Sequence, residues 1–152
     1  MNANYDPWST HIPALAAAVM KYGKRVLEIG CGWYSTPLLH TLSDSVTTLE
    51  TDANWASKFQ RITGDKLHII PDMLAGVKRF SETPWDVVFV DCDPVSARAQ
   101  CVSTFLNKPC CVVAHDSEVG NYRELLKTIK FVRHFDFIMP RTSHLSNTLD
   151  VR

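Results

Sequence analysis

Short apolar or β-branched runs alternate with longer amphipathic stretches along this chain, and that alternation constrains its fold more than any other feature. Arg25–Ile29, Ser45–Glu50, Lys66–Ile70, Trp85–Val90 and Cys110–Ala114 read as strands. His11–Met20, Thr36–Leu42, Asn54–Ile62, Leu74–Phe80, Ser96–Leu106 and Tyr122–Lys130 read as helices. Ser9 or Thr10 is placed to N-cap the first helix, with Pro13 in its first turn. Strand–helix alternation implies βαβ units and a mostly parallel sheet. Trp85–Val90 is apolar almost throughout, as a central strand covered on both faces must be. Two late runs, Phe135–Met139 and Thr148–Val151, are joined by a polar loop too short for a crossover helix, so they read as an antiparallel closing pair.

The 152 residues suit one domain, spanning 1–152 without linker or repeat. Lys plus Arg and Asp plus Glu both count 16, so no net charge draws the chain toward nucleic acid or an anionic membrane. The five cysteines are odd in number and lack a Cys-x-x-Cys pair, which favours small buried residues in a reducing cytoplasm over disulfides or zinc. There is no basic-plus-apolar leader and no run of about 18 apolar residues. A cytoplasmic protein is expected.

The segment with most chemistry in it is Val26-Leu27-Glu28-Ile29-Gly30-Cys31-Gly32-Trp33-Tyr34-Ser35-Thr36, a strand that runs into a Gly-x-Gly turn and then a helix. Glycines there let backbone approach a ligand and permit positive φ. Two carboxylates sharpen the signal. Glu28 precedes the turn, facing the cationic end of an amino-acid-like ligand. Glu50 ends the next strand, about twenty residues past Gly30, where a ribose-binding acid belongs. A nicotinamide-dinucleotide site fits less well, because the third fingerprint glycine is missing and Glu28 would oppose a pyrophosphate.

In order, "VLEIGCG", "VTTLETD", "LHIIPDM", "WDVVFVDCDP" and "CCVVAHDSE" resemble the successive motifs of class I S-adenosylmethionine-dependent methyltransferases. The resemblance is nearest to the branch with Asp-x-Asp after the fourth strand and His-Asp after the fifth, which includes catechol O-methyltransferase-like enzymes. It covers roughly residues 9 to 151. It implies an α/β fold with a single Rossmann-like doubly wound sheet. The expected strand order is 3-2-1-4-5-7-6, with the last strand antiparallel. It further implies that Glu28, Gly30 and Gly32 hold the methionine moiety, with Cys31, Tyr34 and Ser35 in the same turn. Glu50 would take the ribose with Thr51 beside it, Asp72 and Met73 the adenine, and Asp91 a place beside the sulfonium. Tyr34 stands where the family's third glycine would be, so the loop is bulkier. Ser35 and Thr36 remain placed to donate from a helix N-terminus.

Methyl transfer needs alignment more than covalent catalysis. A hydroxyl acceptor also needs a base or a metal. Asp91, His115 and Asp116 are the catalytic candidates. In the catechol-type relatives such aspartates hold magnesium together with an Asn, and Asp91 and Asp116 match while Ser117 replaces the Asn. The plainer alternative is that Asp93-Pro94 and Asp116-Ser117 cap the following helices. His115 reads as a general base or a strand-end residue, and His11 as a group folding over the cofactor or a surface residue. His40 and His68 read as structural. Trp33, Tyr34 and Trp55 either line a pocket or pack, and Tyr122 is within reach of the acceptor site. The Asn-Pro-Pro-Tyr-type motif of planar-amine methylation is absent, which with zero net charge disfavours a DNA base. A small-molecule hydroxyl, such as a sugar or a phenol, is the expected acceptor. The acceptor site is open or completed by a second subunit. The alternatives are a cofactor-binding protein or partner subunit without turnover of its own, and a non-methylating enzyme on the same scaffold.

Overall fold

Every residue of the strand Val87–Val90 is buried, so this strand lies at the centre of a sheet covered on both faces. A computed structural model of the protein describes residues 6–152. Its strands are β1 (Arg25–Ile29), β2 (Ser45–Glu50), β3 (Leu67–Ile69), β4 (Val87–Val90), β5 (Cys111–Ala114), β6 (Phe131–Phe135) and β7 (Thr142–Ser146). They form one sheet in the order β3-β2-β1-β4-β5-β7-β6. Pairing is parallel from β3 across to β5, and β7 runs antiparallel to both β5 and β6.

Side-chain alternation divides the core. Val26, Val46, Val87, Phe89, Cys111 and Val113 face helices α1 (Ile12–Tyr22) and α2 (Ser35–Leu42), which contribute Leu15, Ala18, Val19 and Leu39. Leu27, Ile29, Leu49, Val88, Val90 and Val112 face the opposite layer. There α5 (Met73–Phe80) supplies Met73 and Val77, and α6 (Val95–Phe105) supplies Cys101, Val102 and Phe105. The five cysteines are all buried and free. Among the described residues no helix is long and apolar enough to cross a membrane.

Four boundaries differ from expectation. The closing hairpin is Phe131–Phe135 with Thr142–Ser146, not Phe135–Met139 with Thr148–Val151. β7 is polar yet fully buried, so apolar patterning passes over it. Some of its polar groups find partners inside: Ser143 Oγ lies 2.7 Å from Ser117 Oγ, and His144 Nε2 donates to the Ala14 carbonyl at 2.8 Å, while Thr142 Oγ1 and His144 Nδ1 are buried without one among the described residues. Because β6 starts at Phe131, the helix expected over Tyr122–Lys130 shrinks to α7 (Arg123–Leu126), preceded by a 3₁₀ turn. The helix expected over Asn54–Ile62 is broken into α3 (Ala53–Ser57) and α4 (Gln60–Thr63), where tight i→i−3 bonds turn the wholly buried Phe59 inward. Neither Ser9 nor Thr10 caps α1, whose N-cap is His11 without a side-chain bond.

A buried polar chain fixes the turn after β1. The Gly32 N–H donates to Thr36 Oγ1 at 3.0 Å, and that hydroxyl lies 3.0 Å from both oxygens of Glu28. Thr48 Oγ1 donates to Glu28 Oε2 at 2.8 Å. Glu28 is wholly buried, and burial raises its carboxyl from the usual 4.5 to about 7, against the lowering effect of bonds from Ser35, Thr48 and Thr36. Between these two values the folded chain keeps a proton that the unfolded chain has lost. Stability from this group is therefore fully present below about pH 4.5 and is lost as pH rises through about 7. Glu28→Gln removes the titration. Urea unfolding across that window should show a flatter stability profile than the parent, and an unchanged slope would place the titration elsewhere.

Candidate functional site

The parallel strands deliver their C-terminal ends to one rim, where the backbone of β1 turns sharply. Gly30 has φ +91°, and a Cβ there would collide with the Asp91 carbonyl, so close approach of the β4 end requires glycine. Above this turn lies a cavity of about 360 Å³, within the usual size of small-molecule sites. Gly30, Cys31, Gly32, Tyr34, Ser35, Glu50, Thr51 and Asp91 line it. Three residues expected with them do not. Glu28 lies beneath the turn, holding Thr36 and Thr48. Asp72 caps α5 by accepting from the Ala75 N–H at 2.7 Å, and Met73 is packed in the core.

Glu50 gathers the neighbouring backbone. Its Oε2 accepts from the Cys31 N–H at 3.2 Å, and its Oε1 accepts from the Thr51 and Asp52 N–H groups at 2.7 and 3.0 Å. Trp55 Nε1 donates to the Cys31 carbonyl at 2.8 Å, and the Trp55 and Trp33 rings pack edge-on beside the cavity. Tyr34, in place of a glycine, donates to Asp6 Oδ2 at 2.6 Å. Asp6 in turn accepts from the Trp8 N–H at 3.0 Å. The segment before α1 is thereby strapped over the turn, and it brings Trp8 and His11 into the cavity wall.

A second cavity of about 260 Å³ shares Trp8, Asp91, Asp93 and Arg98 with the first, and adds His115, Asp116 and Pro140. The three expected catalytic residues meet here. His115 Nδ1 lies 3.2 Å from Asp91 Oδ2 and 3.6 Å from Asp116 Oδ1. Burial works against a charged His115, but the bond to Asp91 and the charges of Asp91 and Asp116 outweigh it and raise its pKa. Asp91 is lowered in return: burial opposes its charge, but His115 and Arg98 prevail. His11, its ring centroid 4.9 Å from that of His115, is pushed down to about 4 by burial and by its neighbour His115. His11 is therefore a buried site residue, not a surface one. Tyr122 is wholly buried in the core and does not reach the cavities.

Arg98 changes the expected metal chemistry. Its Nη2 bonds Asp91 Oδ1 at 2.9 Å, its Nη1 bonds Asp116 Oδ2 at 2.6 Å, and its Nε donates to the Cys92 carbonyl at 2.7 Å. The guanidinium fills the place between the two aspartates that magnesium was expected to take, and magnesium demands an octahedral set of oxygens. Asp91 and Asp116 therefore do not fit as a magnesium pair. Nor do the aspartates cap helices: α6 is capped by Pro94 without a side-chain bond, and Asp116 sits at φ +51° against Arg98. The signal for Arg98 was its spacing. It shares a face with Cys101, Val102 and Phe105, so a charge lies on the buried stripe of α6.

No family model and no curated protein matches the chain. Solved structures share its fold. One is a methyltransferase from Geobacter sulfurreducens, at 13% identity and TM-score 0.67, covering 88% of this chain and 76% of that one. Another is a methyltransferase-like protein from Silicibacter pomeroyi, at 17% identity and TM-score 0.66, covering 94% and 88%. A third is a mutant of MtNAS in complex with S-adenosylmethionine, at 15% identity and TM-score 0.55, covering 88% and 58%. At these identities the likeness is one of fold.

Removing the guanidinium leaves two carboxylates facing each other. Arg98→Met should lower unfolding free energy by about 3 kcal/mol, the low end for a broken buried pair because the carboxylates keep some exposure to water. Adding Asp116→Asn to Arg98→Met should restore part of the loss in urea unfolding. Equal stabilities for Arg98→Met and the parent would show that the bridge contributes nothing.

Proposed function

We propose that the chain is an S-adenosylmethionine-dependent methyltransferase that acts on a small-molecule hydroxyl. The observation that carries this reading is a pair of cavities meeting at Asp91, one above a Gly-x-Gly turn with a carboxylate on its wall, the other lined by Asp91, His115 and Asp116. S-adenosylmethionine fits the first on this chain's own chemistry. Backbone N–H groups and the α2 N-terminus suit a carboxylate, and Glu50 offers acceptor capacity to ribose hydroxyls. When bound, S-adenosylmethionine supplies a methyl group activated on a sulfonium. The second cavity receives the acceptor. Its modest volume and its polar wall suit a small molecule with a hydroxyl group, and Asp91, His115 and Asp116 face that hydroxyl. Asp116 Oδ1, the oxygen not engaged by Arg98, is the atom assigned to take the hydroxyl proton. Trp8 borders both cavities.

The methyltransferase relatives of this fold support the reading without identifying the acceptor. Calorimetry with S-adenosylmethionine and its demethylated product tests the first half. Glu50→Ala removes a charged acceptor from two ribose hydroxyls, a loss of about 1.5–3 kcal/mol, so affinity should fall roughly tenfold or more. Unchanged affinity removes Glu50 from the site. An acceptor screen with labelled methyl donor tests the second half. Asp116→Asn should lower turnover on any acceptor found while leaving donor affinity nearly unchanged.

A further inference from the structure

We propose that His11, His115 and Asp91 form a binding site for one late first-row divalent cation, zinc by preference, at the junction of the two cavities. One ligand atom from each residue lies within 4.8 Å of the others. This set shares only Asp91 with the aspartate pair that Arg98 bridges, and its chemistry differs.

The first observation is an orphan. His11 is 3% exposed, and neither of its ring nitrogens has a hydrogen-bond partner among the described residues. A buried polar group left unpaired is destabilising, because it has given up its bonds to water without replacement. Its ring stands edge-on to His115 on the cavity wall, where a ligand would satisfy it.

The second observation is the tautomer of His115. Thr10 Oγ1 lies 3.2 Å from the Pro7 carbonyl, 2.9 Å from the Pro140 carbonyl and 2.9 Å from His115 Nε2. Carbonyls only accept, so the single hydroxyl proton of Thr10 goes to one of them. Nε2 must then carry a hydrogen and donate to Thr10. In the neutral ring Nδ1 is left with a lone pair, aimed at Asp91 Oδ2 from 3.2 Å. A proton on Nδ1 or, in its place, a metal cation satisfies that pair, so metal binding there would release the proton. A histidine oriented through its other nitrogen is the usual arrangement at metal sites.

Ligand chemistry selects the ion. Two imidazoles and one carboxylate suit zinc or its neighbours, whereas magnesium prefers oxygen alone. Tetrahedral zinc about 2.1 Å from each ligand places ligand atoms roughly 3.4 Å apart. Asp91 Oδ2 and His115 Nδ1 stand close to that spacing at 3.2 Å, and the His11 nitrogen, within 4.8 Å of both, would draw closer to complete the third corner. Charge also fits. Arg98 neutralises one of the two carboxylates it holds, and one negative charge remains for the cation. His11 lines the first cavity, His115 the second and Asp91 both, so the fourth coordination position opens on their junction.

The role of the ion rests on the methyl-transfer reading. A carboxylate is a weak base toward a free alcohol, so lowering the pKa of the acceptor oxygen would ease the proton transfer to Asp116. A coordinated oxygen is a different matter, since zinc lowers the pKa of bound water from 15.7 to about 7. The acceptor oxygen would bind the ion, its proton would pass to Asp116 Oδ1, and the resulting oxygen nucleophile would take the methyl group.

The test is titration of tag-free protein with cobalt(II), without methyl donor or acceptor. One equivalent should bind with the visible absorption of a tetrahedral nitrogen–oxygen site. Zinc should displace it, and a large excess of magnesium should not. His11→Ala and Asp91→Asn should weaken binding by roughly tenfold or more, as should Thr10→Val, which frees His115 to turn. His68→Gln, on the far strand β3, should bind as the parent does. Absence of bound cobalt in the parent, a sulfur-to-metal charge-transfer band, or unchanged binding in His11→Ala would each overturn the proposal. If a variant fails to fold, the parent spectrum and the competition with zinc still decide. Donor binding is measured separately by calorimetry. Cobalt binding without donor binding leaves the site standing and removes its role in methyl transfer, while donor binding without cobalt does the reverse.

Discussion

A guanidinium buried on the inner stripe of α6 joins the ends of the two central strands. Arg98 takes one oxygen from Asp91 after β4, one from Asp116 after β5, and the Cys92 carbonyl between them. Adjacent parallel strands would otherwise carry two carboxylates side by side at their ends. Mutual repulsion in a partly desolvated place would push the loops apart or force a proton onto one acid. With Arg98 in place both acids stay in position, and each keeps its second oxygen free of the guanidinium. Those remaining oxygens are the ones that face His115. One side chain from a helix thus sets the polar geometry of the whole rim.

The opposite side of the cavity depends on polar groups of another kind. Beneath the Gly-x-Gly turn, Glu28 is sealed from solvent and retains only hydroxyl partners, so its carboxyl is shifted toward the neutral form. That buried network ties β1, β2 and the first turn of α2 into one unit. Above it, Tyr34 and Asp6 clasp the segment that precedes α1. Tyr34 stands where a third glycine would leave the turn open. The bulkier residue is therefore the anchor that brings Trp8, Thr10 and His11 to the site. The approach to the first helix thus forms part of the cavity wall.

Wherever patterns are local and apolar, sequence and structure agree closely. β1, β2, β4 and β5 fall within a residue or two of expectation, because buried parallel strands need continuous apolar runs and flanking turns. The Gly-x-Gly turn and Glu50 were legible for the same reason: both are tied to strand ends. Legibility fails at β7. Thr142–Ser146 has no apolar signature, and its burial depends on Ser117, His134 and Ala14 supplying hydrogen bonds from distant parts of the chain. Leu149 and Val151 looked like strand residues, but they pack as a tail beside α1.

Sequence alone determined the alternating architecture, the rim at the carboxyl ends of the strands, and the convergence of Asp91, His115 and Asp116, since strand order places those ends together. Tertiary structure decided what occupies the space between them. That Arg98 would bridge the two aspartates follows from how α6 lies across the sheet. That His11 would be buried against His115 follows from a strap held by Tyr34 and Asp6. Glu28 was drawn toward a ligand in the sequence, yet its side chain alternates to the underside of the turn, where only the packed interior receives it. Periodicity along a chain says which way a residue points, but the partner that satisfies its charge comes from elements many residues away, and it is brought there only by folding.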